Sequence, residues 1–100
     1  MLILKLEKYV AEHIHDLISD YEKIEFVVYV SAESYSVEFF VTINGERKQN
    51  FELIDEGVIN EDSFNAFTKS IAEFIRHSPE FIKGEVNKFV FDLYSANQTK

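Results

Sequence analysis

The segment from residue 24 to residue 45 constrains the fold more tightly than any other. Its first part alternates in hydrophobicity, with Ile24, Phe26, Val28 and Val30 on one side of the chain. A second alternating run follows from Tyr35 to Ile43, and both runs are rich in β-branched and aromatic residues. Alternation with a period of two predicts a pair of β-strands. Asn44-Gly45 comes next and favours a hairpin, because both central positions of a type I′ turn need positive φ.

Helices and a third strand are predicted around these two strands. From Leu2 to Tyr21 apolar residues recur at steps of three and four, which predicts an amphipathic helix. The more polar segment Glu46–Ile54 is expected to be a third strand, at an edge or with a wet outer face. A second helix is expected to start at Asn60 or Asp62, either of which can cap it. It should end at Ser78-Pro79, since the residue before a proline avoids the helical region.

The last predicted strand, Val86–Tyr94, is apolar on both faces, which favours an internal position in the sheet. Residues 95–100 are polar and are expected to fray. No repeat, linker or low-complexity run divides the chain, so we expect one domain over residues 1–100. The order α-β-β-β-α-β predicts an α+β fold, in which an antiparallel sheet of about four strands carries two helices on one face.

Composition limits the setting and the chemistry. The 100 residues contain no cysteine, which excludes a disulfide framework, a thiolate zinc site and a cysteine nucleophile. The apolar start, residues 1–4, is too short for a signal peptide, and no apolar run approaches membrane-spanning length. We therefore expect a cytoplasmic protein without membrane contact. Eighteen acidic and ten basic residues give a net charge of −8, and without a basic stripe no direct contact with nucleic acid is expected.

Catalytic and metal-binding patterns are not found in the sequence. His13 and His15 are two apart in a predicted helix, so they diverge by about 200° and cannot share a metal ion. A calcium loop starting at Asp55 would need glycine at its sixth position and glutamate at its twelfth, where the chain has Asn60 and Ala66. The serines lack the context of a nucleophile elbow, and no cleft for a carboxylate pair is indicated. We expect no enzyme activity, no metal and no cofactor.

The stretch Phe51–Phe64, FELIDEGVINEDSF, holds five carboxylates and no positive charge. These carboxylates belong to Glu52, Asp55, Glu56, Glu61 and Asp62. The rest of the chain has thirteen acids against ten bases, so most of the charge imbalance is local. Capping and the helix dipole account for Glu61 and Asp62 but not for the other three. Repulsion within one segment costs stability, so we predict contacts with a basic protein partner, the alternative being a solvated connection.

A second candidate surface is the sheet face that two helices on the other side would leave open. Val27, Tyr29 and Phe40 point to this face, together with Glu25 and Glu38. An aromatic patch rimmed by carboxylates suits the binding of a protein. Tyr29, Glu38 and Phe40 are therefore a second set of predicted partner contacts. The alternative is that the helices or a second copy of the chain cover this face.

Three segments carry a resemblance to a known family. They are the opening "LEKYVAEHIHDLISDYEKIEFVVYV", the hairpin "SYSVEFFVTINGERKQ" and the acidic link into "FNAFTKSIAEFI", together roughly residues 5 to 77. In pattern and order they resemble the YezG-like family of small bacterial immunity proteins. The resemblance implies a cytosolic antitoxin that neutralises a cognate toxin, often a nuclease domain of a secreted or contact-dependent system. An acidic surface would cover the basic cleft of such a toxin.

Other classes of function remain open at this point. A secretion chaperone would also be small, acidic and α+β, but it would dimerise and bind an extended effector segment through hydrophobic grooves or an open strand edge. A structural or regulatory domain would show no tight partner. For the chain itself, the sequence leaves the choice between a monomer and a weak dimer.

Overall fold

Two long strands form the centre of the protein, as the alternation predicts. In the computed structural model, which describes residues 1–95, β1 spans Lys23–Val30 and β2 spans Tyr35–Ile43. They pair antiparallel along the whole of β1. After β2, Asn44 and Gly45 have φ values of 52° and 80°, the positive values expected for the Asn-Gly turn. The fraying expected for residues 95–100 falls, apart from Ser95, outside the described residues.

Two further strands complete a four-stranded antiparallel sheet with the order β3-β2-β1-β4. Strand β3 spans Glu46–Gln49 and lies at one edge, as predicted. Strand β4 spans Asn87–Tyr94, and the internal position expected for it is wrong, because it forms the other edge. Its second apolar face is exposed, with Val90 55% and Tyr94 58% accessible. Apolar residues on both faces of β4 therefore predicted that both faces are buried, but no part of residues 1–95 covers the second face.

Helices cover one face of this sheet and bury their apolar stripes against it. Helix α1 spans Leu2–His13, and a long helix spans Glu61–Arg76 near the other end of the chain. Their buried residues join the inward side chains of the sheet in one core. At its centre the ring of Phe26 lies 5.2 Å from that of Phe39 and 5.0 Å from that of Phe91. The predicted α+β fold, with an antiparallel sheet and helices on one face, is confirmed.

The first helix is shorter than predicted. It ends at His13 instead of continuing to Tyr21, and a 3₁₀ turn, Ile14–Asp16, follows. The N–H groups of Leu17 and Ile18 both donate to the carbonyl of Ile14 at 2.9 Å. Leu17, Ile18 and Tyr21 are nevertheless buried. The helical spacing of apolar residues thus continues beyond the end of the helix. A helix reaching Tyr21 would carry the chain about 12 Å further along the helix axis and leave only Glu22 to connect it to β1.

The third strand is also shorter than predicted. It ends at Gln49 instead of Ile54, and helix α2 spans Asn50–Asp55, so the long helix Glu61–Arg76 is α3. The N–H of Gln49 donates to Oε1 of Glu52 at 3.1 Å, which caps α2. Asn50 Oδ1 accepts the N–H of Phe39 at 3.1 Å, where a longer β3 would have supplied a backbone carbonyl. The pattern of apolar residues in the sequence does not predict side-chain hydrogen bonds of this kind.

The long helix α3 has the predicted boundaries. Asn60, one of the two expected caps, accepts the N–H of Ser63 on its Oδ1 at 3.0 Å. The helix ends at Arg76, before Ser78-Pro79. Arg76 then ties this end to the turn between β1 and β2, because its guanidinium donates to the carbonyls of Ser31 and Ser34 at 2.9 and 3.0 Å.

Candidate functional site

The acidic stretch Phe51–Phe64 is not a single loop. Most of its first half lies in α2, and its last residues form the first turn of α3. The short connection between the two helices is anchored, because the N–H groups of Val58 and Ile59 donate to the carbonyl of Leu53 at 2.9 and 3.2 Å. Ile59 is only 1% exposed, whereas Val58 stays 49% exposed. The carboxylates of the stretch are therefore held by two helix ends and a fixed turn.

Two of the five carboxylates have partners within the protein. Glu52 caps α2 through the N–H of Gln49. Glu56 accepts two hydrogen bonds from Lys48 Nζ, at 2.9 and 3.0 Å. The bond to Glu56, with the charges of Glu46 and Glu52, raises the pKa of Lys48. Sequence reasoning left Glu52 and Glu56 without a structural role because the end of β3, which brings Lys48 back beside α2, was not predicted.

The other three carboxylates, Asp55, Glu61 and Asp62, are exposed and form no ion pair with any cation of residues 1–95. Glu61 and Asp62 lie in the first turn of α3, where the helix dipole stabilises negative charge. Asp55 is the last residue of α2, where the same dipole disfavours a carboxylate. Its charge thus opposes the local structure and is not compensated by a neighbour in the described chain.

Two carboxylates that sequence reasoning did not single out lie at the same end of the molecule. Asp16 and Ser63 line one groove, between α1 and α3, and Asp20 and Val58 line another. Both aspartates are exposed and are unpaired in the described part of the chain. Their place follows from the packing of α1 on α3, which no local pattern encodes. We call the following five residues the acidic end: Asp16, Asp20, Asp55, Glu61 and Asp62.

The second set of predicted contacts lies on the open face of the sheet. Glu38 is exposed and Tyr29 is 39% exposed, so both are accessible. Phe40 is half-buried, because the guanidinium of Arg47 lies 3.9 Å above its ring. Arg47 Nε also donates to Glu25 Oε1 at 2.8 Å, and this hydrogen bond lowers the pKa of Glu25. The structure therefore leaves Tyr29 and Glu38 free for a partner and covers most of Phe40.

The open sheet face carries cations as well as carboxylates. Lys23 lies 3.9 Å from Glu25 and 4.0 Å from Asp92, and Lys88 Nζ lies 5.5 Å from the centre of the Tyr29 ring. The aromatic patch is thus not simply rimmed by acids, as the two-strand pattern had indicated. The cations that the sequence prediction left out lie on β1, β3 and β4. Only the register of the strands determines that they share this face. This face is close to neutral, whereas the acidic end is not.

Histidines and grouped carboxylates are the remaining side chains of the described residues that could hold a metal ion. Within residues 1–95 no three or more histidine and carboxylate side chains are grouped in a way that could hold a metal ion. Nδ1 of His13 and of His77 each lies 2.8 Å from the backbone carbonyl four residues earlier in its helix, that of Tyr9 and of Glu73. Over the same range no helix has both the length and the apolar character needed to cross a membrane.

Comparisons of the chain with protein-family models, curated proteins and solved structures found no match. The resemblance to the YezG-like family therefore stays a prediction. What distinguishes one surface from the other is their charge: an acidic end with uncompensated carboxylates and a nearly neutral sheet face.

Proposed function

We propose that the protein is a cytoplasmic immunity protein, an antitoxin without catalytic activity of its own. Its acidic end binds a basic protein partner, a cognate toxin with a nuclease domain, and covers the basic cleft. The observation that carries this proposal is the position of Asp55, at the end of α2 where the dipole disfavours it and where no cation of residues 1–95 pairs with it. The described part of the fold does not stabilise this charge, whereas a basic partner would stabilise it.

An apolar anchor lies beside Asp55. Phe51 is 55% exposed and precedes Asp55 by four residues in α2, so the two side chains share one face of the helix. Val58, also exposed, follows in the turn after α2. Tight protein interfaces commonly combine a buried aromatic anchor with a charged rim. The acidic end with Phe51 supplies both parts of such an interface.

The charge of the acidic end suits fast recognition of a basic cleft. Its five carboxylates come from three segments of the chain and are not neutralised by neighbours in residues 1–95. Opposite potentials steer two proteins together and raise the association rate toward about 10⁸–10⁹ M⁻¹s⁻¹ at low salt. An inhibitor that must reach a toxin before the toxin reaches nucleic acid benefits from such a rate.

The proposal expects a toxin domain to be encoded beside this chain, and the test is co-expression with that domain. The proposal expects rescue of growth and a stable complex. Purified partners then allow the association rate to be measured at low and at physiological salt. The double variant Asp55→Lys, Asp62→Lys should lower the low-salt rate at least tenfold and flatten its dependence on salt.

A matched control changes the same net charge elsewhere. Glu33 and Glu85 are exposed and line one groove beside the turn between β1 and β2, about 25 Å from the acidic end along the strands. The variant Glu33→Lys, Glu85→Lys should keep most of the wild-type rate. Equal loss in both variants would show that only net charge matters. No rescue and no complex with wild-type protein would overturn the proposed function itself.

The alternative, a small acidic secretion chaperone, is favoured by a different observation, the outer edge of β4, which no strand of residues 1–95 pairs with. An effector segment would extend the sheet there, by backbone hydrogen bonds. Charge reversal at Asp55 and Asp62 would then leave binding unchanged, so the same variants separate the two functions.

A further inference from the structure

Strand β4 presents a free row of backbone groups. The N–H of Ser31 donates to the carbonyl of Ser34 at 2.9 Å, so the odd-numbered residues of β1 bond to β2 and the even-numbered ones to β4. Phe26 pairs with Phe91, which turns the odd-numbered residues of β4 toward β1. The N–H and C=O groups of the even-numbered residues, 88, 90, 92 and 94, therefore point outward, and no strand of residues 1–95 pairs with them.

This free edge lacks most of the usual protection of an edge strand. It is eight residues long and contains neither proline nor glycine. Natural sheets blunt such edges with short strands, bulges, prolines or repelling charges, because an open edge pairs readily with another strand. The charges that β4 does carry are one cation and one anion, Lys88 and Asp92, placed symmetrically about Val90. A symmetric pair of opposite charges attracts a copy of itself.

We propose that the outer edge of β4 pairs with the same edge of a second copy of the chain, antiparallel about a twofold axis at Val90. In this register Val90 of one copy faces Val90 of the other, and both pairs of Lys88 and Asp92 lie directly opposite each other. The outward residues 88, 90 and 92 form hydrogen-bonded pairs, and residue 94 lies opposite residue 86 of the second copy, so two four-stranded sheets become one sheet of eight strands. Opposite charges at directly facing positions stabilise a strand pair.

The charges select this register over its neighbours. A shift of two residues in either direction removes both facing pairs of Lys88 and Asp92. A shift of four residues places either two Lys88 side chains or two Asp92 side chains opposite each other, and like charges at that position are destabilising. The sequence of β4 is thus complementary to itself in one alignment only. An unrelated extended segment would have no reason to match it.

Exposed apolar side chains are covered by the same contact. On the open face Val90 contacts Val90 of the second copy, and Tyr94 faces Val86 of the second copy. In the single chain Val90 is 55% exposed, Tyr94 58% and Val86 65%. On the other face Phe89, half-buried, faces Phe91. Phe89 also lines an open groove of ≈ 500 Å³ with Leu2, which the second copy would narrow. A contact made by one strand from each copy is small, so the dimer should be weak and depend on concentration.

Sedimentation velocity over a range of about 1 μM to 1 mM tests this proposal. The wild-type chain should shift from monomer to dimer within that range. Val90→Pro removes an outward N–H that β1 does not use, and should raise the dimer dissociation constant at least tenfold. Val90→Thr, which keeps both the N–H and the β-branched shape, should dimerise like the wild type. Far-UV circular dichroism of both variants checks that the fold is kept.

Charge mixing gives the sharper test. Lys88→Asp leaves two carboxylates on the edge, and Asp92→Lys leaves two ammonium groups, so each variant alone should be monomeric. An equimolar mixture should restore dimers, as heterodimers in which every facing pair is again opposite in charge. A wild-type chain that stays monomeric at about 1 mM would overturn the proposal. So would a dimer that survives Val90→Pro, or two single variants that fail to combine when mixed.

Discussion

The two edges of the sheet end in opposite ways. Strand β3 has four residues and passes directly into α2, and Asn50 Oδ1 accepts the hydrogen bond that the next residue of a strand would have accepted. Strand β4 has eight residues, and its outer backbone groups have no partner in the described chain. One edge is closed by a side chain and a helix. The other is held on its inner side only, by β1 and the core.

The two edges therefore differ in the interactions that stabilise them. At β3 a few directed bonds define the boundary: the cap of α2 by Glu52, the pair of Lys48 with Glu56, and the bond of Asn50 to Phe39. At β4 the attachment rests on backbone pairing with β1 and on packing, with Phe91 95% buried against Phe26. The closed edge should therefore be sensitive to loss of a polar atom, and the open edge to loss of apolar volume.

Phe91→Ala should have the largest effect on stability. It removes a buried ring that stacks on Phe26 at 5.0 Å, and leaves a cavity at the junction of β4 and the core. We expect a loss of about 3–5 kcal/mol in the free energy of unfolding, measured by urea denaturation. Phe51→Ala, at an exposed position, is the control and should change stability by less than about 0.5 kcal/mol. Similar losses in the two variants would contradict the view that β4 is held by the core.

Asn50→Ala should come next. It deprives the buried N–H of Phe39 of its acceptor, and an unsatisfied buried donor costs about 1–3 kcal/mol. Hydrogen exchange should report the same loss locally, as faster exchange of the Phe39 amide. Asn65→Ala, on the exposed side of α3, removes the same side chain where no such bond is made. If both variants unfold at the same urea concentration, Asn50 does not close the β3 edge.

The smallest effect should be a change in the pH dependence of stability. The hydrogen bond from Arg47, on β3, lowers the pKa of Glu25 on β1 below its usual range. A carboxylate with a depressed pKa in the folded state stabilises the fold above its unfolded pKa, and this contribution is lost as the pH falls through the folded pKa. Glu25→Gln should therefore be less stable than wild type at pH 7, with the difference shrinking below about pH 4.

Thermal unfolding at a series of pH values measures this effect. Glu38→Gln is the control, because Glu38 lies on the same face and forms no ion pair with residues 1–95. Parallel pH profiles for wild-type protein and Glu25→Gln would show that Arg47 does not tie β3 to the centre of the sheet.

Most of the fold could be predicted from sequence because the central elements obey local rules. Alternation, the Asn-Gly turn and the cap at Asn60 each depend on residues close in the chain, and each was found where expected. The errors lie where a distant contact decides. The hydrophobic period continues through the 3₁₀ turn after His13, and the end of β3 is set by a bond from Asn50 to another strand.

The candidate site was less predictable for the same reason. The five carboxylates of Phe51–Phe64 were visible as a cluster, but the partner of Glu56 lies on β3, and the carboxylates of Asp16 and Asp20 come from the 3₁₀ turn after α1 and from the connection to β1. Likewise the cation that covers Phe40 comes from Arg47, across a strand pair. A linear charge count cannot show which charges are neutralised in three dimensions.

The strand order also sets the sequence in which the protein can fold. Strand β1 pairs with β2, its neighbour in the chain, and with β4, whose residues lie more than half the chain away. A contact between distant segments forms slowly, because a long loop must close first. During synthesis the β1–β2 hairpin emerges early, and β1 keeps one side open until residues 87–94 leave the ribosome. The newly made chain therefore exposes a second unpaired strand edge, the side of β1 that β4 covers in the folded protein, and this edge can pair with another chain.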